Sequence, residues 1–274
     1  MVTFPNAKIN IGLNVVEKRD DGFHNIKTVF FPVAGLTDIL EIVESDRFSF
    51  DMTGIEINSP TEKNLCVKAF RIMEKEYGLP PVAIHLHKII PSGAGLGGGS
   101  SDASFTLISL NRIFGLGLLP EQLKTIAVQI GSDCAFFIDN IPSKASGRGE
   151  ILEPLALDLS GLYLTIVKPD IHIDTGNAYG ATFPKHAEYD VFETVLTPPE
   201  KWKDRLKNDF EESVFAKYPP IAEIKNQMYR HGAVYASMSG SGASVFGLFR
   251  EKSQNDRFVD SVPKISCFVK TYIL

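Results

Sequence analysis

The segment that most restricts the fold is residues 90–107, IPSGAGLGGGSSDASFTL. Five of the seven residues from Gly93 to Gly99 are glycine. Each glycine in regular structure costs about 0.5–1 kcal/mol relative to alanine, so such a run marks a place that needs bare backbone. Before it, VAIHLHKII places Val82, Ile84, Leu86 and Ile90 on alternate positions, which predicts a strand. After it, Ala103, Leu107, Leu110 and Phe114 recur at helical spacing until Gly115. The order strand, glycine loop, Ser100-Ser101, helix aims backbone N–H groups and hydroxyls at a helix N-terminus, where the dipole favours an anion. The two serines are expected to donate to that anion, to cap the helix, or to meet a magnesium ion. The plainer alternative is a glycine-rich surface turn with a serine cap.

Two familiar anion loops were weighed against this string. Walker A requires G-x-x-x-x-G-K-[ST]; Gly93 and Gly98 have the spacing, but Gly99 stands where the lysine belongs. Gly93, Gly95 and Gly98 do fit G-x-G-x-x-G, with Glu121 about 20 residues on. Glu121 follows Pro120, however, and reads as part of a helix's first turn rather than the end of a second parallel strand.

The rest of the chain supplies alternating strands and helices. AKINIGLNVV, KTVFFPV, DILEIVES, LYLTIVKP and SCFVKTYIL read as strands, KNLCVKAFRIMEKEY and PEQLKTIAVQIG as helices, and ASGRGEILEPL as a turn and strand. The glycine pair at 147 and 149 suggests a division into 1–150 and 151–274. A formal charge of −5 without a basic stretch argues against a nucleic-acid surface. Three scattered cysteines, Cys66, Cys134 and Cys267, suit reduced thiols in a cytoplasm better than a disulfide framework. The N-terminus shows no basic-then-apolar leader, and no run of about 20 apolar residues suggests a membrane span.

The whole string PSGAGLGGGSSDA resembles the ATP-binding motif P-x-x-x-G-L-G-x-S-S-A of the GHMP kinases. Its G-L-G-G-G-S-S core is similar to the branch that phosphorylates the 2-hydroxyl of 4-diphosphocytidyl-2-C-methyl-D-erythritol in non-mevalonate isoprenoid synthesis. FPNAKINIGLNVVEKRDDGFHNIKTVF, GSDCAFFI, ASGRGE, NDFE and MSGSGASVFGLF resemble further motifs of that branch, in the same order along the chain. The resemblance implies an α/β (α+β) two-domain fold. Its N-terminal ATP-binding domain resembles ribosomal protein S5 domain 2, its C-terminal substrate domain is ferredoxin-like, and ATP and acceptor meet between them. It implies ATP and Mg2+ as cofactors, a small cytidine diphosphate-linked acceptor, no nucleic acid or membrane partner, and a monomer or weak homodimer.

The chemistry has three needs: neutralising phosphate charge, accepting a hydroxyl proton, and aligning both partners. Asp133, in the short polar stretch before CAFFI, is the candidate base, and Lys8, inside a half-apolar strand, its candidate cation. The family assigns the matching residues those roles; read alone, Asp133 is equally a helix cap and Lys8 a solvated strand residue. The resemblance implies that Pro91, Ser92, Gly93, Ala94, Gly95, Leu96, Gly97, Gly98, Gly99, Ser100 and Ser101 wrap the triphosphate, with Ser100 or Ser101 at the metal. Asn64 and Lys88 match positions near the adenine, although Lys88 also reads as a solvated strand residue. For the acceptor, Phe23 and Tyr179 match rings that stack on cytosine, His24 its polar edge, and Asn10 and Thr175 the erythritol contacts. Phe23 replaces the family's usual tyrosine. Gly240 and Gly242 are expected over the acceptor's phosphates; a simple β-turn is the alternative. Asp102 stands near the triphosphate, where an extra negative charge must point away or help hold the metal.

Three rival functions remain at this level. A homoserine- or mevalonate-type kinase would leave DGFH without a role. A non-catalytic nucleotide sensor would not need Lys8 and Asp133. A nicotinamide-dependent oxidoreductase rests on G-x-G-x-x-G alone.

Overall fold

The computed structural model describes residues 1–57, 60–184, 187–262 and 267–274. In chain order, the first half contains β1 (Val2–Thr3), β2 (Asn6–Lys18), β3 (His24–Thr37), β4 (Ile39–Glu44), β5 (Ser49–Gly54), α1 (Leu65–Tyr77) and β6 (Val82–Lys88). The glycine loop then leads into α2 (Gly98–Ile113), followed by α3 (Pro120–Ile130), α4 (Phe136–Asp139), β7 (Ser143–Ser146) and β8 (Ile151–Pro154). The second half contains β9 (Tyr163–Pro169), α5 (Thr175–Gly180), α6 (Val191–Thr194), α7 (Phe210–Lys217) and α8 (Pro219–Arg230). It ends in β10 (Tyr235–Met238), β11 (Val245–Phe249), α9 (Lys252–Ser261) and β12 (Cys267–Ile273). Ser266, the first residue of the predicted final strand, lies outside the described residues.

By contact, the chain forms two units, each discontinuous in sequence. The first comprises Met1–Lys8, Pro32–Ser92 and Gly97–Ile141, and the second Ile9–Phe31, Gly93–Leu96 and Pro142–Leu274. The glycine loop contributes to both, and Ile9–Phe31 groups with the C-terminal half, an association that local composition does not record.

In the first unit a sheet of order β1-β4-β6-β5 is covered by helices. β4 and β6 pair antiparallel from Ile39↔His87 to Glu44↔Val82, while β5 runs parallel to β6. The alternation read in β6 is the alternation observed: Val82, Ile84 and Leu86 are buried and the residues between them are half-exposed. They join Phe70 and Met73 of α1, Leu107 and Leu110 of α2, and Leu123 and Ile126 of α3 in one apolar cluster. Full burial of each such side chain contributes roughly 1.5–3 kcal/mol. Asn64 caps α1 by accepting from the Cys66 N–H at 2.9 Å, and Gly78 ends it at φ +64°.

The second unit holds an antiparallel sheet of order β10-β11-β9-β12 and, from a sheet of order β2-β3-β7-β8, the β2 and β3 residues within Ile9–Phe31 together with β7 and β8. Helices α7, α8 and α9 supply Phe210, Ile221, Met228 and Phe258 to a core shared with Val167, Val245 and Phe249 of the first of these sheets. Trp202 is fully buried, meets Tyr235 edge-on at 5.5 Å, and donates its indole N–H to the Thr197 carbonyl at 2.8 Å.

Candidate active site

Helix α2 begins at Gly98, with Gly97 as its N-cap at φ +71° and no side chain bonded to its first turn. The serine cap expected from sequence does not form, because Ser100 and Ser101 lie inside the helix. Its first internal bond runs from the Ser101 N–H to the Gly97 carbonyl at 2.9 Å. The N–H groups ahead of it form the positive end of a 16-residue helix. The two serines also differ. Ser101 is fully buried, with an Oγ that lacks a hydrogen-bond partner among the described residues, whereas Ser100 is half-buried.

The other site groups of the first unit gather at Gly97. A Cβ built there would lie 3.0 Å from Lys8 Cγ and 2.9 Å from Phe137 Cζ, so the glycine lets Lys8 lie directly against the loop. The Lys8 ammonium is 3.3 Å from the Asp133 carboxylate, with the lysine side chain 3% exposed and the aspartate 31%. Asp133 is not a helix cap: α4 starts after Ala135 and has no side-chain cap. Its turn is held by the Cys134 N–H donating to Gly131 at 3.1 Å, and by Ser104 Oγ donating to the Cys134 carbonyl at 2.7 Å. The buried lysine pairs with the carboxylate and still leaves it partly open to a reactant.

Lys88 is a correction. The solvated-strand alternative does not hold: its ammonium is buried and bonded to Asp38 and Asp102. Asp102 points away from the loop into the same cluster. Burial pushes its carboxyl up to about 8 despite the Lys88 cation, with Asp38 adding to the rise. Lys88 in turn is held above the usual lysine range: burial opposes its charge, and Asp102 and Asp38 outweigh the burial. Asn64 borders a cavity of ≈140 Å³ lined also by Phe50, Asp51, Met52, Ile57 and Thr61. Pro91 is buried and Ser92 exposed at the loop's entry.

In the second unit the stretch Gly93–Leu96 rests on the late glycine segment. A Cβ at Gly95 would fall 1.9 Å from the Ser239 carbonyl oxygen, so only glycine permits this approach. Ser239 Oγ donates to the Gly95 carbonyl at 2.9 Å, and the Ser244 N–H donates to the Ala94 carbonyl at 3.3 Å. The Gly242 N–H donates to Ser239 O at 3.0 Å, so the β-turn kept as an alternative for this segment is the local conformation. Asn208 brackets the turn, giving both amide hydrogens to the Met238 and Gly240 carbonyls at 2.8 Å each. Glu211 accepts from the Met238 N–H at 2.8 Å and from Lys225 at 2.6 Å. NDFE is thus a brace for the turn. Asn208, Glu211 and Ser239 were missed as supporting residues, although the quoted motifs contained all three.

Asn10 is buried in the same unit. Its backbone N–H donates to Ser239 Oγ at 3.2 Å and its amide to Thr28 Oγ1 at 3.1 Å. Thr175 Oγ1 lies 3.0 Å from Ser241 Oγ. The rings divide into two groups. His24 stacks on Tyr179 at 5.0 Å and 24°, and Tyr179 meets Phe210 edge-on at 4.8 Å. Phe23 is 52% exposed, with the Arg148 guanidinium 4.9 Å from its ring centre. Burial, assisted by Lys18, holds His24 below the ordinary histidine value of 6.5. Three cavities of this unit, ≈400 Å³ beside Lys18 and Asn25, ≈350 Å³ beside Asn14 and Tyr189 and ≈180 Å³ beside His172 and Lys217, are lined by none of Phe23, His24, Thr175 or Tyr179. Among the described residues, no group of three or more His, Cys, Asp or Glu side chains is arranged to hold a metal.

Comparison with known proteins shows the family and the fold. Residues 64–143 match the GHMP kinases N terminal domain and residues 199–265 the GHMP kinases C terminal domain. The chain is 54% identical over 253 residues to a 4-diphosphocytidyl-2-C-methyl-D-erythritol kinase of Bacteroides thetaiotaomicron, covering 91% of this chain and 92% of the relative. It is 51% identical to the same-named protein of Parabacteroides distasonis, covering 92% of each. Among solved structures, a 4-(cytidine 5'-diphospho)-2C-methyl-D-erythritol kinase superposes with TM-score 0.84 at 29% identity, covering 99% of this chain and 98% of that one. The Methanococcus jannaschii mevalonate kinase superposes with TM-score 0.76 at 12% identity, covering 100% and 98%, and so shares the fold.

Proposed function

This chain belongs to the family of 4-diphosphocytidyl-2-C-methyl-D-erythritol kinases within the GHMP kinases, and from that premise we propose its reaction and the residues that perform it. It moves the γ-phosphoryl of ATP to the 2-hydroxyl of 4-diphosphocytidyl-2-C-methyl-D-erythritol. The observation that carries this reading is the Lys8–Asp133 pair lying against Gly97, at the start of an uncapped helix in the first unit.

The roles follow from charge and hydrogen bonding. Residues Pro91–Ser101 wrap the triphosphate, with the main-chain N–H groups at the start of α2 donating to it and Ser100 the more accessible of the two serines. Asp133 accepts the proton of the attacking hydroxyl as the new oxygen–phosphorus bond forms and the bond to the β-phosphate oxygen breaks, releasing ADP. Lys8 pairs with Asp133 and offsets charge on the transferring group. Asn64 and its cavity take the adenine side. Phe23 and Tyr179 offer π-faces to the cytosine, His24 its neutral imidazole, and Asn10 and Thr175 hydrogen bonds to the erythritol. Gly240 and Gly242 lie over the acceptor's phosphates.

Magnesium fits as a companion of the nucleotide rather than as an ion in a protein cage. Mg2+ usually takes one or two protein oxygens and fills the rest with phosphate and water, and the half-buried Ser100 hydroxyl in the first turn of α2 is the oxygen that would hold it. When bound, it would neutralise phosphate charge. The family matches at 64–143 and 199–265 support reading 1–150 as the ATP-binding portion and 151–274 as the substrate portion. A cytoplasmic location as monomer or weak homodimer completes the reading. Buried free thiols at Cys66 and Cys134 support the location.

The test is a transfer assay with ATP and magnesium, offering the cytidylyl acceptor, homoserine and mevalonate in parallel. The expected result is ADP release and a new phosphomonoester on the cytidylyl acceptor only. Turnover of homoserine or mevalonate in its place would overturn the reading.

A further inference from the structure

The buried cluster of Asp38, Lys88 and Asp102 is not used by the chemistry above, yet it lies at both ends of the phosphate loop. All three side chains belong to the first unit and are at most 3% exposed. Asp38, in the bend between β3 and β4, accepts the Ile89 N–H at 2.6 Å and the Ile90 N–H at 2.8 Å through one carboxylate oxygen. These are the last two residues before Pro91. Its other oxygen accepts from the Lys88 ammonium. The same ammonium donates to Asp102 at 2.7 Å, and Asp102 follows Ser101 directly, just past the first turn of α2. Gly98 marks how tightly entry and exit approach: a Cβ there would be 2.9 Å from Ile90 Cγ2 and 3.4 Å from Lys88 Nζ.

Stability alone is a poor reason for such a cluster. Two carboxylates on one ammonium leave a surplus buried acid, and one oxygen of Asp102 has no hydrogen-bond partner among the described residues. Apolar residues of similar volume are often as stabilising as a buried ion group. Directed hydrogen bonds supply something apolar packing does not, a set distance between two segments.

We propose that Asp38, Lys88 and Asp102 are positioning residues for phosphoryl transfer: they clamp the entry and exit of the phosphate loop together and so set where the N–H groups of α2's first turn meet the nucleotide. This rests on the kinase reading above. Nothing in the clamp touches the acceptor, so its loss acts on ATP.

The test compares Asp102→Ala with Asp102→Asn, and Asp38→Ala with Asp38→Asn. The readouts are the Kd of a non-hydrolysable ATP analogue by calorimetry, both KM values and kcat. Asparagine keeps an oxygen that can accept from Lys88 or from the loop N–H groups; alanine does not. Each alanine variant is expected to weaken analogue binding about tenfold or more, with acceptor KM within about twofold. Each asparagine variant restores affinity to within about threefold of wild type. Where alanine at 102 prevents folding, Asp102→Ser, polar but too short to reach Lys88, is expected to behave as alanine would. Unchanged analogue Kd in folded alanine or serine variants would overturn the proposal. So would an equal rise in both KM values, or an asparagine variant as impaired as alanine. Wild-type analogue binding without transfer to the cytidylyl acceptor would instead count against the acceptor assignment, and the variant comparison would still decide the clamp.

Discussion

The Lys8 ammonium is 3.3 Å from the Asp133 carboxylate while the Lys8 stem passes within van der Waals reach of Gly97. The pair therefore touches the phosphate loop itself. If Asp133 takes the hydroxyl proton, Asp133→Asn lowers kcat by about 10²–10⁴ and leaves ATP-analogue Kd within a few fold, read by single-turnover transfer and calorimetry. Lys8→Met lowers kcat comparably, and the double variant loses little more than either single one, because the two act as a unit. Wild-type kcat in Asp133→Asn would remove the base assignment.

Phe23 is half-exposed with Arg148 over its ring, whereas His24 and Tyr179 are already stacked on each other. Truncating it removes a stacking surface worth ~1–3 kcal/mol. Phe23→Ala should therefore raise the acceptor KM about tenfold while ATP KM stays within twofold. Equal losses for both substrates would contradict the stacking role.

Burial and Lys18 hold His24 below its ordinary 6.5, so at pH 7 it is neutral and able to accept or donate at the cytosine edge. A depressed imidazole binds fewer protons folded than unfolded, so its contribution to stability is full above 6.5 and declines as pH falls below that value. Acceptor KM should be flat from about pH 7 to 8 and rise below about 6.5 as the ring protonates. The low-pH rise attributable to His24 should be absent in His24→Gln, measured by KM against pH with ATP saturating.

Asn208 is buried and gives one hydrogen bond to each of two carbonyls of the late glycine turn. Asn208→Ala removes both bonds, leaving the Met238 carbonyl only the Ser237 hydroxyl at 3.3 Å, at about 1–3 kcal/mol for each bond lost. Denaturant unfolding should show a loss of roughly 2–5 kcal/mol. Asn208→Asp should be no better, because it sets a carboxylate against two carbonyl oxygens. A midpoint unchanged from wild type in either variant would show that water replaces the bonds.

The local elements were legible because they obey short-range rules. Alternation in β6 and the apolar spacing in α1 and α2 needed only neighbouring residues, and the glycine run announced a loop that must admit other atoms closely. The motif pattern named Lys8, Asp133 and the loop as one site because it spans the whole chain. What single residues did there was decided by tertiary contacts. Lys88 reads in sequence as a strand cation near a nucleotide; only folding brings Asp38 and Asp102 to it, from 50 and 14 residues away, and takes it out of solvent. Ser101 reads as a donor or cap, until the helix starts at Gly98 and turns it into the core. Local pattern is set by backbone geometry over a few residues. The partner of a charged or polar group is set by long-range packing, which the order of residues does not display.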